Sequence, residues 1–255
     1  MVSESPFLTF HYPEVDSTNR VARQLAQQTE IQWAYVSADR QTAGRGRYQR
    51  RWESPKNMGI WASLFCRPDI RPTQINLFGM ALAVAIREFL EGLLGKPYGA
   101  QVRLKWPNDI LINSKKCCGI LLEGQVSQTK VGFVVAGFGV NVNQTLGDFP
   151  AELQNSAVSL KMVTGLQYEV AELRREIFEF IYRHMQQERE NQFQNTVSHF
   201  RAHMTGLGEA ALLSLPNREV RGICAGINEL GFLELDTKEG REVINAGDLW
   251  ILNRG

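Results

Sequence analysis

The sequence lacks the features that mark membrane-spanning, secreted and zinc-binding proteins. No uninterrupted apolar run approaches the ~18 residues of a membrane span, and no basic segment followed by an apolar stretch opens the chain. The four cysteines and four histidines do not fall at zinc-ligand spacings. Two of the cysteines, Cys117 and Cys118, are neighbours that cannot form a relaxed disulfide with each other. We therefore expect a cytoplasmic protein with reduced thiols, no membrane segment and no structural metal.

The sequence also has little net charge. It contains 28 basic and 27 acidic side chains, a net charge of +1, which gives no global field for attracting nucleic acid or anionic membrane. With 44% hydrophobic and 22% charged residues in 255, the chain can bury a full core. This length favours a large domain with a small appendage. We predict a domain at 1–204 and a second domain at 205–255.

The order of apolar patterns and turn residues predicts the fold class. The predicted elements are a helix from Ser17 or Thr18, strands at 34–41 and 59–66, a helix from Pro72 to Gly95, β-like segments at 102–113, 116–124 and 130–143, helices after Pro150, and five short strands from about Gly206 onward. Together they predict an α+β protein. We expect a mixed β-sheet domain flanked by helices, followed by a small C-terminal SH3-like β-barrel.

The strongest local signal is the segment from Gln41 to Trp52, in which glycines and arginines alternate. Glycine lets the backbone approach a ligand closely, and guanidinium groups match carboxylate and phosphate oxygens. A dinucleotide-binding fingerprint is excluded because Gln49 replaces its third glycine and no helix begins afterwards. The segment is therefore either an anion-binding loop or a solvated basic loop.

Two further segments are rich in polar groups. Residues 105–109 read Lys-Trp-Pro-Asn-Asp, and Lys116 follows, so lysines, an amide and a carboxylate surround one predicted hairpin. Pro107 favours a strand end, where these groups converge. Residues 137–143 read Gly-Phe-Gly-Val-Asn-Val-Asn, which places asparagines at the end of a buried strand. The plainer alternatives are a surface salt bridge for the first segment and a strand-to-turn exit for the second.

Five motifs in this order form a family pattern. They are DSTN, QTAGRGR followed by Trp52, KWPND, KxxGIL and GFGVNVN, and they run from Asp16 to about Asn143. The chain resembles the biotin protein ligases, and the expected terminal barrel also suits that family. The resemblance implies an enzyme that uses biotin, ATP and Mg²⁺ to form biotinyl-5′-AMP. It further implies transfer of biotin to a lysine of a biotin carboxyl carrier protein domain of a carboxylase.

The resemblance also implies roles for individual residues. Lys116 and Arg47 are the implied catalytic residues. The implied biotin-binding residues are Ser17, Thr18, Gln41, Gly44, Arg45, Trp61, Lys116, Gly119, Gly137 and Gly139. The implied nucleotide-binding residues are Arg45, Arg47, Lys105, Asn108, Asp109 and Asn141. The metal ligands stay open, since Asp109 has two alternative roles: orienting Lys116, or facing a magnesium-bound phosphate. Ser17 also suits a helix cap.

The sequence departs from the family pattern at two places. The family loop usually has Arg and Gly where this chain has Tyr48 and Gln49, which leaves loop closure open. Cys117 and Cys118 replace residues that are usually small or apolar, and for them we favour a buried core position over redox chemistry. Only 16 residues precede Ser17, too few for a helix-turn-helix, so we expect no regulation of DNA. A homodimer through an exposed sheet edge stays open.

Two rival functions remain at this point. A lipoate ligase or octanoyl transferase resembles the family in fold but lacks the GRGR and KWPND motifs. A non-catalytic nucleic-acid binder would instead use the basic segment interleaved with aromatic side chains. Its candidate residues are Arg40, Arg45, Arg47, Arg50 and Arg51, with Tyr48 and Trp52.

Overall fold

The computed structural model describes residues 6–96 and 98–252. The helices are α1 (Thr18–Gln28), α2 (Ile75–Leu94), α3 (Leu160–Thr164), α4 (Val170–Glu190) and α5 (Thr196–His203). The strands are β1 (Leu8–Val15), β2 (Trp33–Gln41), β3 (Gly59–Cys66), β4 (Val102–Lys105), β5 (Asp109–Ile112), β6 (Lys115–Val126), β7 (Val131–Asn141), β8 (Ala210–Ser214), β9 (Glu219–Ile227), β10 (Leu233–Thr237), β11 (Gly240–Ile244) and β12 (Asp248–Ile251). The chain forms two compact units, Met1–Pro72 with Ser114–Tyr182, and Thr73–Asn113 with Arg183–Gly255.

The first unit contains five strands of a seven-stranded sheet, in the order β1-β2-β3-β7-β6. β1 pairs with β2 in parallel, whereas β2–β3, β3–β7 and β7–β6 are antiparallel. The predicted mixed sheet and α+β class are therefore confirmed. β7 is buried along nearly its whole length, as expected for a central strand with a continuous apolar sequence.

Strand β1 was not predicted from the sequence. The apolar residues Leu8, Phe10 and Tyr12 alternate with polar ones, but the pattern is short and every residue of β1 is exposed or half-exposed. It also contains Pro13, which has no N–H to donate to a neighbouring strand. The position of β1 at an edge of the sheet accommodates both features.

Helices cover the two faces of the sheet in the first unit. On one face, α1 presents Ala22 and Ala26, one helical turn apart, to a cluster of buried side chains. The other members of that cluster are Ala34, Val36, Phe65, Phe133 and Val135. On the other face, the ring of Phe178 in α4 stacks on Tyr35 with centroids 4.2 Å apart. The Tyr35 hydroxyl donates to the carbonyl oxygen of Phe178 at 3.0 Å, which satisfies a buried polar group.

In the second unit, α2 packs against β4, β5 and α5. The predicted end of α2 is confirmed, because Gly95 follows Leu94 with φ 57°, a conformation that favours glycine. The predicted β-like segment at 102–113 is divided into β4 and β5, with the expected strand end next to Pro107, and Lys105 of β4 pairs with Asp109 of β5. Within this unit the indole N–H of Trp106 donates to the carbonyl oxygen of Gly231 at 3.0 Å.

The last five strands form an antiparallel sheet in the order β11-β10-β9-β8-β12. They match the five short strands predicted after Gly206. In the strand order of the described residues, β11 and β12 are the two edges, so the sheet is open rather than closed on itself. Across the described ranges, none of the helices combines the length and apolar character that crossing a membrane requires.

Candidate active site

Three glycines leave a strip of the first unit's sheet without side chains. Gly119 of β6 pairs with Gly139 of β7, and Gly137 lies two residues earlier in β7. Because alternate residues of a strand point to the same face, all three face the same side. We call Gly119, Gly137 and Gly139 the glycine strip. A Cβ at Gly137 would overlap the amide of Asn19 in α1, so this position requires glycine.

Trp52 lies on the glycine strip. A Cβ at Gly139 would overlap its indole ring, and a Cβ at Gly119 would lie 3.0 Å from its Cζ3 atom. The indole N–H is buried and has no hydrogen-bond partner among the described residues. The absence of β-carbons therefore lets a flat aromatic group lie directly on the sheet.

Buried and half-buried polar side chains surround the start of α1. We call Thr18, Asn19, Gln41, Ser54 and Ser63 the polar cluster. Thr18 donates its backbone N–H and its hydroxyl to Gln41 Oε1, at 2.8 and 3.1 Å, and Gln41 Nε2 donates to the Ser54 hydroxyl at 2.9 Å. The first N–H groups of a helix have no partner within the helix. Gln41, from the end of β2, therefore satisfies one of them.

The polar cluster continues beneath the helix. The Ser63 hydroxyl, which is fully buried, lies 2.7 Å from Thr18 Oγ1 and 2.6 Å from Asn19 Oδ1. Asn19 Nδ2 donates to Glu123 Oε2 at 2.8 Å and to the carbonyl oxygen of Leu121 at 3.3 Å. Each side chain is thus held by at least one neighbour. The cluster presents fixed donors and acceptors, the arrangement that recognises a polar ligand head.

Ser17 occupies the N-cap position of α1, but its side chain makes no capping hydrogen bond. Ser17 is 5% exposed. Its backbone N–H donates to the carboxylate of Asp16 at 2.7 Å. Ser17 therefore directly precedes Thr18 of the polar cluster in the sequence, and its hydroxyl does not cap the helix.

Lys116 is fixed through its main chain. Its N–H donates to the carbonyl oxygen of Ser156 at 2.7 Å, and its own carbonyl oxygen accepts the N–H of Val158 at 3.0 Å. Its ammonium Nζ lies 5.2 Å from the centre of the Trp52 ring and would be 3.1 Å from a Cβ on Gly119. The positive charge of Lys116 therefore lies at the glycine strip.

The basic segment forms a loop whose base is firmly hydrogen-bonded. We call residues 42–52 the arginine loop. The N–H of Thr42 donates to Val15 O at 3.0 Å, and that of Ala43 to Asp16 O at 2.9 Å. Trp52 donates its N–H to the carbonyl oxygen of Gly44 at 3.0 Å. These bonds set Trp52, and with it the start of the loop, against the sheet.

The tip of the arginine loop is organised by Tyr48. The Arg47 guanidinium lies 5.0 Å from the Tyr48 ring centre and donates to the Tyr48 hydroxyl at 3.1 Å. Arg50 lies 5.9 Å from the same ring. Tyr48 and Gln49 have φ of 53° and 60°, the region that glycine adopts most readily. Gln49 therefore adopts a left-handed backbone although it carries a side chain.

Two predicted site residues are engaged within the first unit's own structure. Trp61 is fully buried, donates its indole N–H to Pro55 O at 3.0 Å, and pairs with Gly139 across β3 and β7. Asn141 donates to the carbonyl oxygens of Lys116 and Val158, at 3.5 and 3.3 Å. Its amide thus holds the chain that follows β7 beside Lys116.

The predicted residues at 105–109 belong to the second unit. Lys105 and Asp109 face each other across the β4–β5 hairpin, and Asn108 lies in its turn. The Lys105 ammonium lies 4.7 Å from the centre of the Trp250 ring. The hairpin therefore holds the lysine, the amide and the carboxylate close together, as Pro107 suggested.

The cysteines are buried and none forms a disulfide. Burial raises the pKa of Cys117 to about 12, because a thiolate would lose its hydration in the protein interior. Its thiol lies 3.5 Å from the carbonyl oxygen of Asn141. The core interpretation of Cys117 and Cys118 is confirmed.

Several residues of the site were not identified from the sequence. Asn19 and Trp52 stood inside quoted motifs but received no role. Ser63 had a usable signal, because it is a hydroxyl inside the apolar strand β3. Glu123 and Ser54 had no local signal, since only the fold brings them to residues far away in the sequence.

Comparisons with known proteins agree with this geometry. Residues 12–141 match the biotin/lipoate A/B protein ligase family, and residues 207–249 match the biotin protein ligase C-terminal domain. The bifunctional ligase/repressor BirA of Bacillus subtilis is 34% identical over 239 residues, covering 94% of this chain and 72% of that protein. The biotin--[acetyl-CoA-carboxylase] ligase of Paracoccus denitrificans is 33% identical over 243 residues, covering 92% of this chain and 97% of that protein.

A solved structure is also similar over almost the whole chain. The biotin protein ligase of Aquifex aeolicus in complex with biotin and ATP superposes with a TM-score of 0.77 and 28% identity, covering 96% of this chain and 98% of that one. The first family match spans about half of the chain, and it includes the polar cluster, the arginine loop, the glycine strip and Lys116. The chain belongs to the biotin/lipoate A/B protein ligase family, on the biotin protein ligase side of it.

Proposed function

We propose that this protein joins biotin and ATP to form biotinyl-5′-AMP and pyrophosphate, and then transfers biotin to a lysine of a biotin carboxyl carrier protein. The observation that carries the proposal is the placement of the Lys116 ammonium at the glycine strip, in the same unit as the polar cluster. A small carboxylic acid with a polar head and a flat ring needs these features. They are fixed donors and acceptors, an aromatic ring that lies on glycines, and a positive charge for the carboxylate.

The first step brings together two anions. A biotin carboxylate oxygen attacks the α-phosphorus of ATP, a new O–P bond forms, and the bond from that phosphorus to pyrophosphate breaks. Lys116 offsets the repulsion between carboxylate and phosphate, and its fixed main chain keeps the charge in place. Arg47 stabilises the charge that develops on the phosphate, while Gly44 and Arg45 lie along the acid.

The second step needs a protected intermediate. The amine of the acceptor lysine attacks the acyl carbon, the bond from that carbon to AMP breaks, and the proton of the amine passes to water. Acyl adenylates hydrolyse, so the arginine loop must exclude water until the acceptor arrives. The hydrogen-bonded base of the loop and the ring of Trp52 on the glycine strip support this role.

The nucleotide and its metal involve further candidates. We assign Lys105, Asn108, Asp109 and Asn141 to nucleotide binding on the strength of the motifs. Mg²⁺ usually binds few carboxylates together with substrate phosphates, so we propose that it enters with ATP. Within 6–96 and 98–252, no three His, Cys, Asp or Glu side chains group as metal ligands. Asp109 is the candidate carboxylate.

The remaining assignments rest on the sequence. We propose that residues 1–204 form the catalytic domain and that residues 205–255 form an SH3-like β-barrel, with the five-stranded sheet as its core. The acceptor is the carrier domain of a carboxylase. We propose that the reaction takes place in the cytoplasm, because none of the four buried cysteines forms a disulfide. A homodimer and the absence of DNA binding stay predictions, for which light scattering and gel-shift assays are the tests.

The deciding experiment follows both half-reactions. The protein is incubated with biotin, ATP and Mg²⁺, and mass spectrometry is used to find biotinyl-5′-AMP; a biotin carrier domain is then added to detect the biotinylated lysine. Exchange of labelled pyrophosphate into ATP should depend on biotin. Exchange that depends on lipoate instead would support a lipoate ligase and overturn the proposal.

The nucleic-acid alternative is disfavoured by local pairing of charge. Arg40 lies 3.0 Å from Glu14, Arg51 lies 3.0 Å from Glu53, and Arg45 lies 3.5 Å from a carboxylate oxygen of Glu123. These acids cancel much of the field that a phosphate backbone would meet. Salt-sensitive binding of RNA or DNA without adenylate formation would restore this alternative.

A further inference from the structure

Glu123 is a carboxylate that no motif assigns and that the proposed reaction does not use. It lies on β6, opposite Val135 of β7, and its side chain is 21% exposed. Three side chains approach it: Asn19 at 2.8 Å, Arg23 at 3.3 Å and Arg45 at 3.5 Å. Asn19 and Arg45 share one oxygen, Oε2, and Arg23 takes the other.

These partners come from two different parts of the first unit. Asn19 and Arg23 lie on α1, one helical turn apart, whereas Arg45 belongs to the arginine loop. Arg45 reaches the sheet through its ion pair with Glu123, and Glu123 in turn accepts a hydrogen bond from Asn19 of α1. It therefore connects the loop to the helix that carries the polar cluster.

The helix side of this connection is rigid. Asn19 is 4% exposed and lies against Gly137, where a Cβ would overlap its amide. Its Oδ1 is 2.6 Å from the Ser63 hydroxyl, so its amide orientation is set before Nδ2 reaches Glu123. A carboxylate held in this way offers a fixed negative charge to the loop.

The loop side depends on that charge. Arg45 is about half exposed, with a side-chain exposure of 49%. An exposed ion pair contributes little to global stability, because water screens it and long side chains lose rotamer freedom. A pair that closes a loop onto a fixed partner still selects one loop position among many. The effect is therefore expected on ligand retention rather than on unfolding.

We propose that Glu123 is a positioning residue that sets where Arg45, and with it the arginine loop, lies over the glycine strip. The inference rests on the proposed ligase function and deepens it. Glu123 does not touch the reacting atoms; it acts through Arg45. Without its charge, the loop covers the adenylate less of the time, biotin binds more weakly, and the intermediate escapes.

The test uses Glu123→Gln, which keeps the shape and an acceptor for Asn19 but removes the charge. Its matched control is Arg23→Gln, which breaks the other ion pair of the same carboxylate and lies outside the loop. We expect Glu123→Gln to raise the KM for biotin and the release of free biotinyl-5′-AMP by about tenfold, with kcat for adenylate formation much less affected. Arg23→Gln should leave both quantities near wild type. Glu123→Asp, which retains the charge on a shorter side chain, should recover part of the loss.

A second readout does not need the reaction. Limited trypsin digestion of the ligand-free protein reports how often the arginine loop is accessible at its own arginines. Glu123→Gln should be cut faster in this loop than wild type, at an unchanged melting temperature. If cutting, KM and adenylate release all match wild type, or if Arg23→Gln loses as much as Glu123→Gln, the inference is overturned. Wild-type protein that forms no adenylate would instead overturn the proposed function, while the digestion result would still decide the role of Glu123.

Discussion

The polar cluster and the tip of the arginine loop are opposite kinds of structure within one candidate site. Thr18, Asn19 and Ser63 are each less than 5% exposed and hold one another through short hydrogen bonds. In the loop, Tyr48 is 47% exposed, and the guanidinium groups of Arg47 and Arg50 lie 5.0 and 5.9 Å from the centre of its ring. Buried polar groups keep one geometry because a buried donor or acceptor that loses its hydrogen bond costs free energy. Exposed groups can replace their protein partners with water.

This difference divides the proposed reaction between the two regions. A ligand head that must be told apart from similar molecules needs donors and acceptors that do not move. A charged intermediate that must first be covered and then handed over needs groups that can change position. Lys116 lies between these extremes, with a fixed main chain and a flexible side chain. Substitutions in the different regions should therefore fail in different ways.

The largest expected effect is that of Lys116→Ala. Removing the ammonium that we place between the biotin carboxylate and the α-phosphate should lower the rate of adenylate formation by about 10³-fold, the size typical of losing one such group. The melting temperature should stay within about 2 °C of wild type, since the main-chain bonds of Lys116 remain. Lys115→Ala is the matched control and should stay active. Biotin-dependent pyrophosphate exchange is the measurement, and wild-type exchange in Lys116→Ala would remove the catalytic assignment.

Gly139→Ala should come next, because the new methyl group would overlap Trp52. Overpacking of this kind costs about 1 to 3 kcal/mol, which corresponds to roughly tenfold to 100-fold weaker biotin binding if the ring must leave the strip. Gly147→Ala is the control, because no atom lies within 4 Å of a Cβ there. Calorimetric titration with biotin tests this. Equal affinities in the two variants would show that the glycine strip does not form the ligand floor.

Arg47→Gly should produce a different failure, with the intermediate formed but lost. Removing the guanidinium takes away a charge from the phosphate and the contact with Tyr48, so release of free biotinyl-5′-AMP should rise about tenfold. Arg51→Gly makes the same change next to Glu53 and should release far less. Rapid gel filtration after a single turnover measures the escape. If Arg47→Gly retained the adenylate as wild type does, Arg47 would have no part in closing the arginine loop over the adenylate.

The smallest effect is expected for Gln49→Gly. A left-handed backbone costs a residue with a side chain about 1 kcal/mol, and glycine removes this cost. Its greater freedom in the unfolded chain offsets part of that gain in stability. The melting temperature should therefore rise by about 1 °C. Arg50→Gly, at φ −63°, has no such strain to relieve and should lower it. Differential scanning calorimetry of both variants decides whether the loop tip keeps its left-handed turn.

The sequence predicted the elements whose patterns are local. The apolar stripe of α2 and the glycine after it, the proline-marked β4–β5 hairpin, and the five short C-terminal strands were all found where expected. β1 was missed although Leu8, Phe10 and Tyr12 alternate with polar residues, because this pattern is short and ends at Pro13. Its parallel pairing with β2 becomes apparent only in the sheet.

The candidate site residues also divide into those with a local sequence signal and those without one. Lys116, Gln41 and the glycine strip were identified because their motifs carry them, and the structure places them in one unit. Ser63 and Glu123 were missed because their partners lie more than 40 residues away in the chain, as the contact of Ser63 with Asn19 shows.

The sequence by itself determined the family, the residue types that an anion-binding site needs, and the glycines that keep the sheet surface clear. Tertiary structure alone decided that Gln41 accepts a backbone N–H at the start of α1, that Trp52 lies on the glycine strip, and that Glu123 forms an ion pair with Arg45. The physical reason is that backbone preferences and apolar periodicity act over a few residues. Hydrogen bonds and ion pairs between distant side chains exist only after the sheet has brought them together.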